Sequence, residues 1–500
     1  MEGQLIRVET DISKSMPGFD MVGCLSPSVR EAKNRVRVAL KNSGMTLPPV
    51  HITVNISPAG IRKEGNAFDL PIAVGILTAL GYFPEETVQK YCLIGELGLN
   101  GEVRPVHGVL PIVKAVSSLP FKAVILPKQN AAEGSIDGRI PVIGISRLSQ
   151  LLPFFLHPES SPLHPFTGKS PENFPAGSEN IPDFKDVIGQ ESAKRAALIA
   201  AAGFHHLLLC GPPGSGKTMI ARRLPGILPP LTDDECIELT SIYSVAGLLN
   251  GERQFITKRP FLSPHHSTTV CALTGGGRIP SPGIFNLCHN GVLFLDELPE
   301  FHRDCLEALR QPLEEKQVHV FRSAGSFSYP SRFILVAACN PCPCGYYPNR
   351  HKCHCSKAEI QRYQGKISGP IRDRIDISVT TEAADLSLLS GNQTGMDSRE
   401  MRELVLKARE AQQRRFQGTG LHFNSEIPAG DIPLYCRLGE QEARYLSGIF
   451  PAMGLSARSY HKLLKISRTI ADLEGCSEIQ IPHLSEAFCY QFQEEVSAID

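Results

Sequence analysis

The stretch of sequence that decides the fold is His206-Leu-Leu-Leu-Cys-Gly-Pro-Pro-Gly-Ser-Gly-Lys-Thr218. Its apolar run predicts a short buried strand, its glycine-rich part predicts a loop, and residues 219–224 are compatible with a helix. The glycines and the final Lys-Thr pair fill the pattern G-x-x-x-x-G-K-[ST] without a gap. A strand, such a loop and a helix in this order predict a binding site for the phosphates of a nucleotide.

The chemistry of phosphate binding explains each part of this phosphate loop, residues 211–218. Glycine lets backbone N–H groups curl around a phosphate where a Cβ atom would clash, and the helix points its positive N-terminal end at the anion. Lys217 is expected to reach the β- and γ-phosphates of ATP, and the Thr218 hydroxyl is expected to bind Mg²⁺. The residues predicted to hold ATP and Mg²⁺ are Gly211, Pro212, Pro213, Gly214, Ser215, Gly216, Lys217, Thr218 and Asp296.

The length, composition and charge of the sequence describe a folded chain of several domains with no net charge. Its 500 residues exceed the usual size of one domain, and 42% of them are apolar. Lys plus Arg and Asp plus Glu both number 51, so any basic surface for nucleic acid must be local. The sequence shows no apolar leader and no apolar run that could span a bilayer, which predicts a cytoplasmic protein without a membrane partner.

Two further apolar runs end in polar side chains. Gly291-Val-Leu-Phe-Leu-Asp-Glu297 predicts a buried strand that ends in two carboxylates. Asp296 is expected to hold Mg²⁺ through water, and Glu297 is expected to orient or deprotonate the attacking water. Arg332-Phe-Ile-Leu-Val-Ala-Ala-Cys-Asn340 predicts a third buried strand that ends in a polar residue.

Four of the 15 cysteines are clustered directly after that third strand. Cys342, Cys344, Cys353 and Cys355 form the pattern C-x-C-x8-C-x-C, with glycine and proline between them. Four thiolates would complete a tetrahedral zinc site, with His351 or His354 as a substitute for one of them. The alternative is four free thiols in a loop, but clustering in a chain that otherwise scatters its cysteines favours a metal.

The pattern of strands, helices and prolines divides the chain into four parts. Residues 1–152 alternate strand-like segments, such as His51–Ser57, with a helical pattern at 28–42, which predicts an α+β domain without a phosphate loop. Residues 153–183 contain seven prolines and are predicted to form an interdomain linker that holds no helix. Residues 184–384 carry the nucleotide motifs, and 385–500 are predicted to form an all-helical bundle.

Three N-terminal segments resemble the first domain of the YifB/ComM family, namely Phe19-Asp-Met-Val-Gly-Cys-Leu25, Arg62-Lys-Glu-Gly-Asn-Ala-Phe-Asp-Leu-Pro-Ile-Ala73 and Gly95-Glu-Leu-Gly-Leu-Asn-Gly-Glu-Val-Arg-Pro105. The resemblance implies a Lon-protease-like (ribosomal S5-like) fold. Lon proteolysis uses a Ser–Lys pair. At residues 65–69, where the serine would lie, stand Asn66, Ala67 and Phe68, and no serine lies between Ser57 and Ser117. We therefore expect no proteolysis, although Lys114 is present.

The second half of the chain resembles AAA+ ATPases. Phe184-Lys-Asp-Val-Ile-Gly-Gln190 is similar to their segment beside the adenine, and residues 261–283 are similar to an insertion shared by magnesium chelatase subunits and the YifB/ComM family. In that clade the insertion projects toward the pore of a ring, but Ile284 replaces the usual acidic residue. His265 and His266 within it could be metal ligands, but adjacent side chains rarely point the same way, which favours a structural role.

The resemblance also implies catalytic roles for residues beyond Glu297. Asn340 corresponds to sensor 1, which helps to place the attacking water. Arg374, in Gly369-Pro-Ile-Arg-Asp-Arg-Ile-Asp376, corresponds to an arginine finger that reaches the ATP of a neighbouring subunit, with Arg372 as a second candidate. Arg458, in Leu455-Ser-Ala-Arg458, corresponds to sensor 2, which contacts the nucleotide phosphates from the helical lid. These roles imply a homo-oligomeric ring, expected to be a hexamer.

Over essentially the whole chain, the resemblance implies an AAA+ motor with an α/β P-loop core and a helical lid. It implies a DNA helicase that moves branch points during natural transformation. No base-reading motif is visible, so binding of single-stranded or branched DNA is expected to be sequence-independent and salt-sensitive. The basic residues within 402–415 form either a nucleic-acid face or a solvated helix surface. The rival interpretations are a chelatase-type motor that remodels a partner protein and a Lon-like protease, which the missing serine disfavours.

Overall fold

The structure, a computed structural model, describes residues 3–157, 161–166, 181–249, 255–277, 280–322, 325–382, 395–449 and 456–491. Its strands are β1 Arg7–Ser13, β2 Gly18–Val22, β3 His51–Ser57, β4 Tyr91–Leu93, β5 Glu96–Leu97, β6 Val103–Arg104, β7 Ala123–Pro127, β8 Val142–Ile145, β9 Leu207–Cys210, β10 Phe261–Leu262, β11 Gly275–Gly276, β12 Ser281–Pro282, β13 Val292–Leu295, β14 Gln317–Arg322, β15 Gly325–Pro330, β16 Ile334–Cys339 and β17 Ile377–Thr380.

The α-helices of the described ranges alternate with these strands and then form the C-terminal bundle. They are α1 Pro27–Arg30, α2 Ala32–Asn42, α3 Asp69–Ala79, α4 Glu85–Val88, α5 Val109–Val116, α6 Ala131–Gly134, α7 Leu151–Leu156, α8 Glu191–Gly203, α9 Lys217–Ile227, α10 Asp233–Val245, α11 Val270–Thr274, α12 Ile284–Leu287, α13 Arg303–Ala308, α14 Arg310–Glu315, α15 Lys357–Gln364, α16 Gly369–Arg372, α17 Ser398–Arg415, α18 Ile432–Tyr435, α19 Glu440–Ile449, α20 Ala457–Leu473 and α21 Ile481–Cys489.

The N-terminal part is an α+β unit with two three-stranded sheets. In one sheet β3 lies between β1, with which it is antiparallel, and β2, with which it is parallel; in the other, β4, β7 and β8 are parallel. The predicted strand β3 is confirmed, and its alternating apolar side chains are buried. The single helix expected at 28–42 is two helices, α1 and α2, because the chain turns at Glu31. Its exposed face includes Val38, whereas the apolar positions on its inner side are buried, namely Val29, Ala32, Val36, Ala39 and Leu40.

Helix α7 contradicts the expected start of the linker after residue 152. The helix continues to Leu156 despite Pro153, because a proline near a helix start replaces an N–H group that has no partner within the helix. Phe154 and Phe155 pack into the N-terminal core beside Phe83 and Tyr91. These aromatic contacts extend the N-terminal unit past the predicted boundary. Most of the expected linker, including residues 167–180, lies outside the described residues.

The nucleotide-binding part is built on a five-stranded parallel sheet in the order β10-β13-β16-β9-β17. The three strands predicted from apolar runs are confirmed as β9, β13 and β16, and β13 and β16 are buried along their whole length. A parallel sheet covered by helices on both faces requires such continuous apolar runs, since neither face meets water. The carboxyl ends of β9, β13 and β16 therefore bring the three sequence motifs to one edge.

The N-terminal unit contacts this second unit directly. Glu133 on α6 accepts hydrogen bonds from the Leu110 N–H group of α5, at 3.0 Å, and from the Ser244 hydroxyl of α10. The Gly108 N–H group donates to the Ser244 carbonyl oxygen at 3.2 Å. Buried Leu110 and Cys236 belong to one apolar cluster across the contact. The two units are thus joined by packing as well as by the chain between them.

The C-terminal part is helical, as expected, and its basic helix is partly used for packing. Within α17, the Arg409 guanidinium lies 3.8 Å from the centroid of the Phe423 ring, and burial lowers its pKa to about 10. Arg415 donates to buried Asp472 at 2.8 Å. These two arginines therefore stabilise the bundle and are withdrawn from any nucleic-acid face, whereas Arg402 stays exposed. The predicted boundary between the nucleotide-binding part and the bundle, at residues 384 and 385, and the end of the bundle after residue 491 lie outside the described residues.

Candidate functional site

The phosphate loop wraps around the side chain of Lys217, the first residue of α9. Its Nζ atom donates to the carbonyl oxygens of Gly211, at 2.7 Å, and Pro212, at 2.9 Å. It also donates to Oδ1 of Asn340 at 3.2 Å. Burial lowers the pKa of Lys217, while the nearby carboxylates of Asp296 and Glu297 oppose that shift. The structure thus brings together the loop lysine and the predicted sensor 1.

Thr218 and Asp296 meet across the gap between α9 and β13. The Thr218 hydroxyl donates to Oδ2 of Asp296 at 3.0 Å, and the other carboxylate oxygen accepts the Glu297 N–H group at 3.0 Å. A hydroxyl and a carboxylate beside a phosphate site are oxygen ligands of the kind that Mg²⁺ takes, together with phosphate oxygens and water. The donor set predicted for Mg²⁺ therefore fits that ion chemically.

Glu297 follows β13 in a strained conformation. Its φ of 51° lies in the left-handed region, which costs energy for a residue with a side chain and is tolerated mainly at functional sites. Oε2 of Glu297 lies 3.7 Å from Nδ1 of His266, whose ring centroid is 4.0 Å from that of His265. The expectation that these adjacent histidines point apart is wrong, because the chain leaves its helical and extended conformations here. His266 joins the inserted segment to the predicted catalytic carboxylate.

Thr381 is a site residue that the sequence interpretation missed. Its hydroxyl lies 2.7 Å from the Ser215 hydroxyl, and its N–H group donates to the Cys210 carbonyl oxygen at 2.7 Å. A Cβ atom at Gly211 would lie 2.1 Å from Thr381 Oγ1, so only glycine fits there. The available signal was the short β-branched run that forms β17, but its position beside β9 depends on the sheet order.

The four clustered cysteines converge around one point. Their sulfur atoms all lie within 4.8 Å of one another, with 3.3 Å between Cys342 and Cys344 and 3.7 Å between Cys342 and Cys353. The Tyr347 N–H group donates a hydrogen bond to the Cys342 sulfur at 3.4 Å. A tetrahedron with metal–sulfur bonds of about 2.3 Å has sulfur–sulfur edges of about 3.8 Å. The cluster therefore has the dimensions of a four-thiolate zinc site, with Cys355 supplying the fourth sulfur atom.

This cysteine cluster is in contact with the phosphate loop. Cys342 follows Asn340 by two residues, and Gly345 within the cluster lies against Pro213. A Cβ atom on Gly345, whose φ is +84°, would lie 2.5 Å from Cδ of Pro213. The loop that holds the cysteines is thus one wall of the nucleotide site.

Arg374 and Arg458 lie together, away from the phosphate loop of their own chain. Both line a cavity that also includes His206 and Asp376, at the N-terminal end of β9 and β17. The phosphate loop follows the other end of β9, about 16 Å away at 3.3 Å per residue. Neither arginine therefore lies at the phosphate loop of its own chain, and the contact of Arg458 with nucleotide phosphates stays a prediction. Arg372 instead donates to the carbonyl oxygens of Gln364, the last residue of α15, and of Ile367.

In the N-terminal unit, a buried ion pair occupies the segment where a Lon serine would lie. Asp69 accepts hydrogen bonds from Arg35 at 2.7 and 2.8 Å and from the Leu97 N–H group at 3.2 Å. Burial of Asp69 raises its pKa, although Arg35 opposes this shift. Lys114 is exposed on α5. These side chains stabilise the fold and provide no nucleophile.

The phosphate loop, the paired carboxylates and the parallel sheet order define a P-loop protein of the AAA+ class. The family models described as magnesium chelatase subunit ChlI, subunit ChlI of Mg-chelatase and magnesium chelatase subunit ChlI C-terminal match residues 183–388, 8–130 and 395–491. The chain is 43% identical over 495 residues to the competence protein ComM of Haemophilus influenzae, which covers 98% of this chain and 95% of ComM.

The uncharacterized protein YifB of Escherichia coli is 40% identical over 494 residues, 97% of this chain and 94% of YifB. The chain therefore belongs to the YifB/ComM family, which confirms the family and the fold class expected from sequence. Lon protease 2 of Bacillus subtilis is 30% identical over 171 residues, 32% of this chain and 29% of the protease. In the described ranges, every helix is too short or too polar to cross a membrane.

Proposed function

We propose that this chain is an ATP-driven ring motor that acts on single-stranded or branched DNA, as a helicase that moves branch points during natural transformation. Full-length similarity to a competence protein, combined with a complete set of nucleotide-hydrolysis side chains, supports this proposal. AAA+ relatives of the magnesium chelatase type point to ATP hydrolysis. What the hydrolysis moves is inferred from the competence relative.

In the proposed reaction, each motif has one task. Lys217 binds the β- and γ-phosphates, and Thr218 and Asp296 hold Mg²⁺, which neutralises phosphate charge. Glu297 orients or deprotonates the attacking water, and Asn340 helps to place that water near the γ-phosphate. The hydrogen bond from Lys217 to Asn340 supports this assignment, because it brings the two side chains close enough to act on one phosphate group.

Arg374 and Arg458 complete the site of a neighbouring subunit in this proposal. Both lie at the opposite end of β9 from their own phosphate loop, so a ring in which this face meets the next subunit's nucleotide gives each arginine a phosphate partner. A homo-oligomer is therefore required for hydrolysis, and a hexamer is proposed from the family.

Hydrolysis measured with and without forked DNA tests the proposal. We expect DNA to stimulate the ATPase activity and the strands to separate, with both effects weakening as salt rises because phosphate contacts release counterions. Lys217→Ala and Glu297→Gln abolish both, whereas Lys128→Ala, a change at an exposed lysine of the N-terminal unit, leaves them intact. ATPase activity that DNA does not stimulate, with no strand separation, contradicts the helicase.

The matches to magnesium chelatase models favour a second candidate, a motor that remodels a partner protein. An ATPase that responds to a protein partner and ignores DNA supports this alternative. We also propose that the Lon-like unit has no protease activity. Casein incubated with the protein and ATP is expected to stay intact, and cleavage that disappears when the N-terminal unit is mutated contradicts this.

We further propose that Cys342, Cys344, Cys353 and Cys355 bind structural zinc. The convergence of the four sulfur atoms supports it. Purified protein is expected to contain one zinc per chain, and Cys342→Ser is expected to lose it while Cys24→Ser, a change at an exposed cysteine of the N-terminal unit, retains it. Metal analysis that finds less than about half an equivalent of zinc counts against the four-thiolate site.

A further inference from the structure

We propose that Glu314 is an intramolecular latch, which holds Arg374 and Arg458 in the isolated subunit and releases them when a neighbour's nucleotide arrives. The latch rests on the proposed function, in which these two arginines act on the next subunit. It adds a residue that no motif marks, since Glu314 lies in α14, outside every nucleotide-binding pattern of the sequence.

One carboxylate oxygen is shared by both arginines. Oε1 of Glu314 accepts a hydrogen bond from Nη2 of Arg374 and lies 3.5 Å from Nη2 of Arg458. Arg374 comes from the nucleotide-binding unit and Arg458 from the helical lid, so Glu314 connects the two. The Glu314 and Arg458 side chains are 47% and 46% exposed, which leaves their contact open to an incoming group.

Arg374 is not free to project from the subunit while Glu314 holds it. Its side chain is only 6% exposed, and its two terminal nitrogens donate to the Pro370 carbonyl oxygen and to Glu314. Its Nε atom is buried and has no hydrogen-bond partner among the described residues. A terminal phosphate carries more charge and more acceptor oxygens than a carboxylate, so it is the stronger partner for two guanidinium groups.

The surroundings of Glu314 favour an exchange of one anion for another. The cavity that the two arginines line has a volume of about 340 Å³, and its lining contains six Lys or Arg and four Asp or Glu side chains. In the isolated subunit, Glu314 offsets part of this positive charge. When it moves away, the positive charge faces the polyphosphate of the adjacent subunit. The carboxylate therefore competes with the ligand that completes the ring.

Assembly of the full chain driven by ATPγS, followed by light scattering, tests the latch in Glu314→Gln. We expect the variant to assemble at an ATPγS concentration about fivefold lower than the native chain, because the competing charge is gone. We also expect its nucleotide-free form to melt about 2–4 °C lower, because buried Arg374 loses its counter-ion. Glu315→Gln is the matched control, since Glu315 pairs with His319 at 3.4 Å, and it should assemble like the native chain.

Glu314→Gln is thus expected to make assembly easier while it lowers the melting temperature. A glutamate with a purely structural role would lower the melting temperature and leave assembly no easier. If Glu314→Gln needs the same or a higher ATPγS concentration for half-maximal assembly (the assembly midpoint), the latch is overturned. If this variant fails to fold, Glu314→Asp keeps the charge but is too short for both arginines, and an unchanged midpoint in Glu314→Asp overturns the latch as well. If the native chain does not assemble, or Arg374→Ala hydrolyses ATP normally, the shared site itself is wrong and the latch falls with it.

Discussion

His206, at the start of β9, should make the stability of the protein fall in mildly acidic solution. Its Nδ1 atom accepts the Leu335 N–H group at 3.1 Å, so this nitrogen must be unprotonated in the folded chain. Burial lowers the pKa of His206 to about 4 from its ordinary 6.5, with Asp376 opposing the shift and His205 and Lys462 adding to it. Protonation would break the bond to Leu335 and place a positive charge in a buried position near Lys462.

The direction and the size of this change in the free energy of unfolding follow from proton linkage. Between pH 6.5 and 4 the unfolded chain binds a proton at His206 that the folded chain does not bind, so stability is lost as the pH falls through this window. With these two pKa values, the loss between pH 7 and pH 5 is about 2 kcal/mol. Water in the adjoining cavity would stabilise the charged ring and reduce this figure.

Urea unfolding followed by circular dichroism at pH 7 and pH 5 measures this loss, since the chain contains no Trp for fluorescence. His206→Asn retains an acceptor near Nδ1 but cannot be protonated, so the variant should lose about 2 kcal/mol less than the native chain over this interval. His302→Asn is the matched control, since the His302 side chain is 75% exposed. An equal pH dependence in the native chain and His206→Asn refutes the reasoning.

Two further predictions follow from contacts at the nucleotide site and in the lid. Gly345→Ala should weaken ATP binding about tenfold in a fluorescent-nucleotide titration, because its Cβ atom would push on the phosphate loop. Gly418 also has a positive φ, but no atom of the described residues, apart from its chain neighbours, lies within 4 Å of an added Cβ atom. If Gly418→Ala weakened ATP binding equally, backbone strain alone would explain the effect. Asp472→Ala should lower the free energy of unfolding by about 3–5 kcal/mol, because it leaves arginines unpaired in the bundle. Glu440→Ala, at a pair 3.6 Å apart and 90% exposed, should cost under about 0.5 kcal/mol, and similar losses in the two variants would contradict a buried network.

The sequence by itself predicted the elements whose information is local. The apolar runs that became β9, β13 and β16 were recognisable because a strand buried on both faces needs apolar side chains at every position. The phosphate loop was recognisable because its glycines, lysine and threonine act within one short segment. The polar residues after these strands, Asp296 and Asn340, could be assigned to one site because parallel strands end at a common edge.

The tertiary structure decided which distant residues meet. Thr381 contacts the phosphate loop because β17 pairs with β9, and α7, which tolerates Pro153 in its first turn, is held to the N-terminal unit by phenylalanines that pack into an aromatic core. Arg458 faces away from its own phosphate loop, and Glu314 meets it there, because the lid packs at the opposite end of β9. Such placements depend on packing between residues that are far apart in the sequence. The free energy of this packing comes from burying apolar surface, and the sequence pattern does not show which buried surfaces meet.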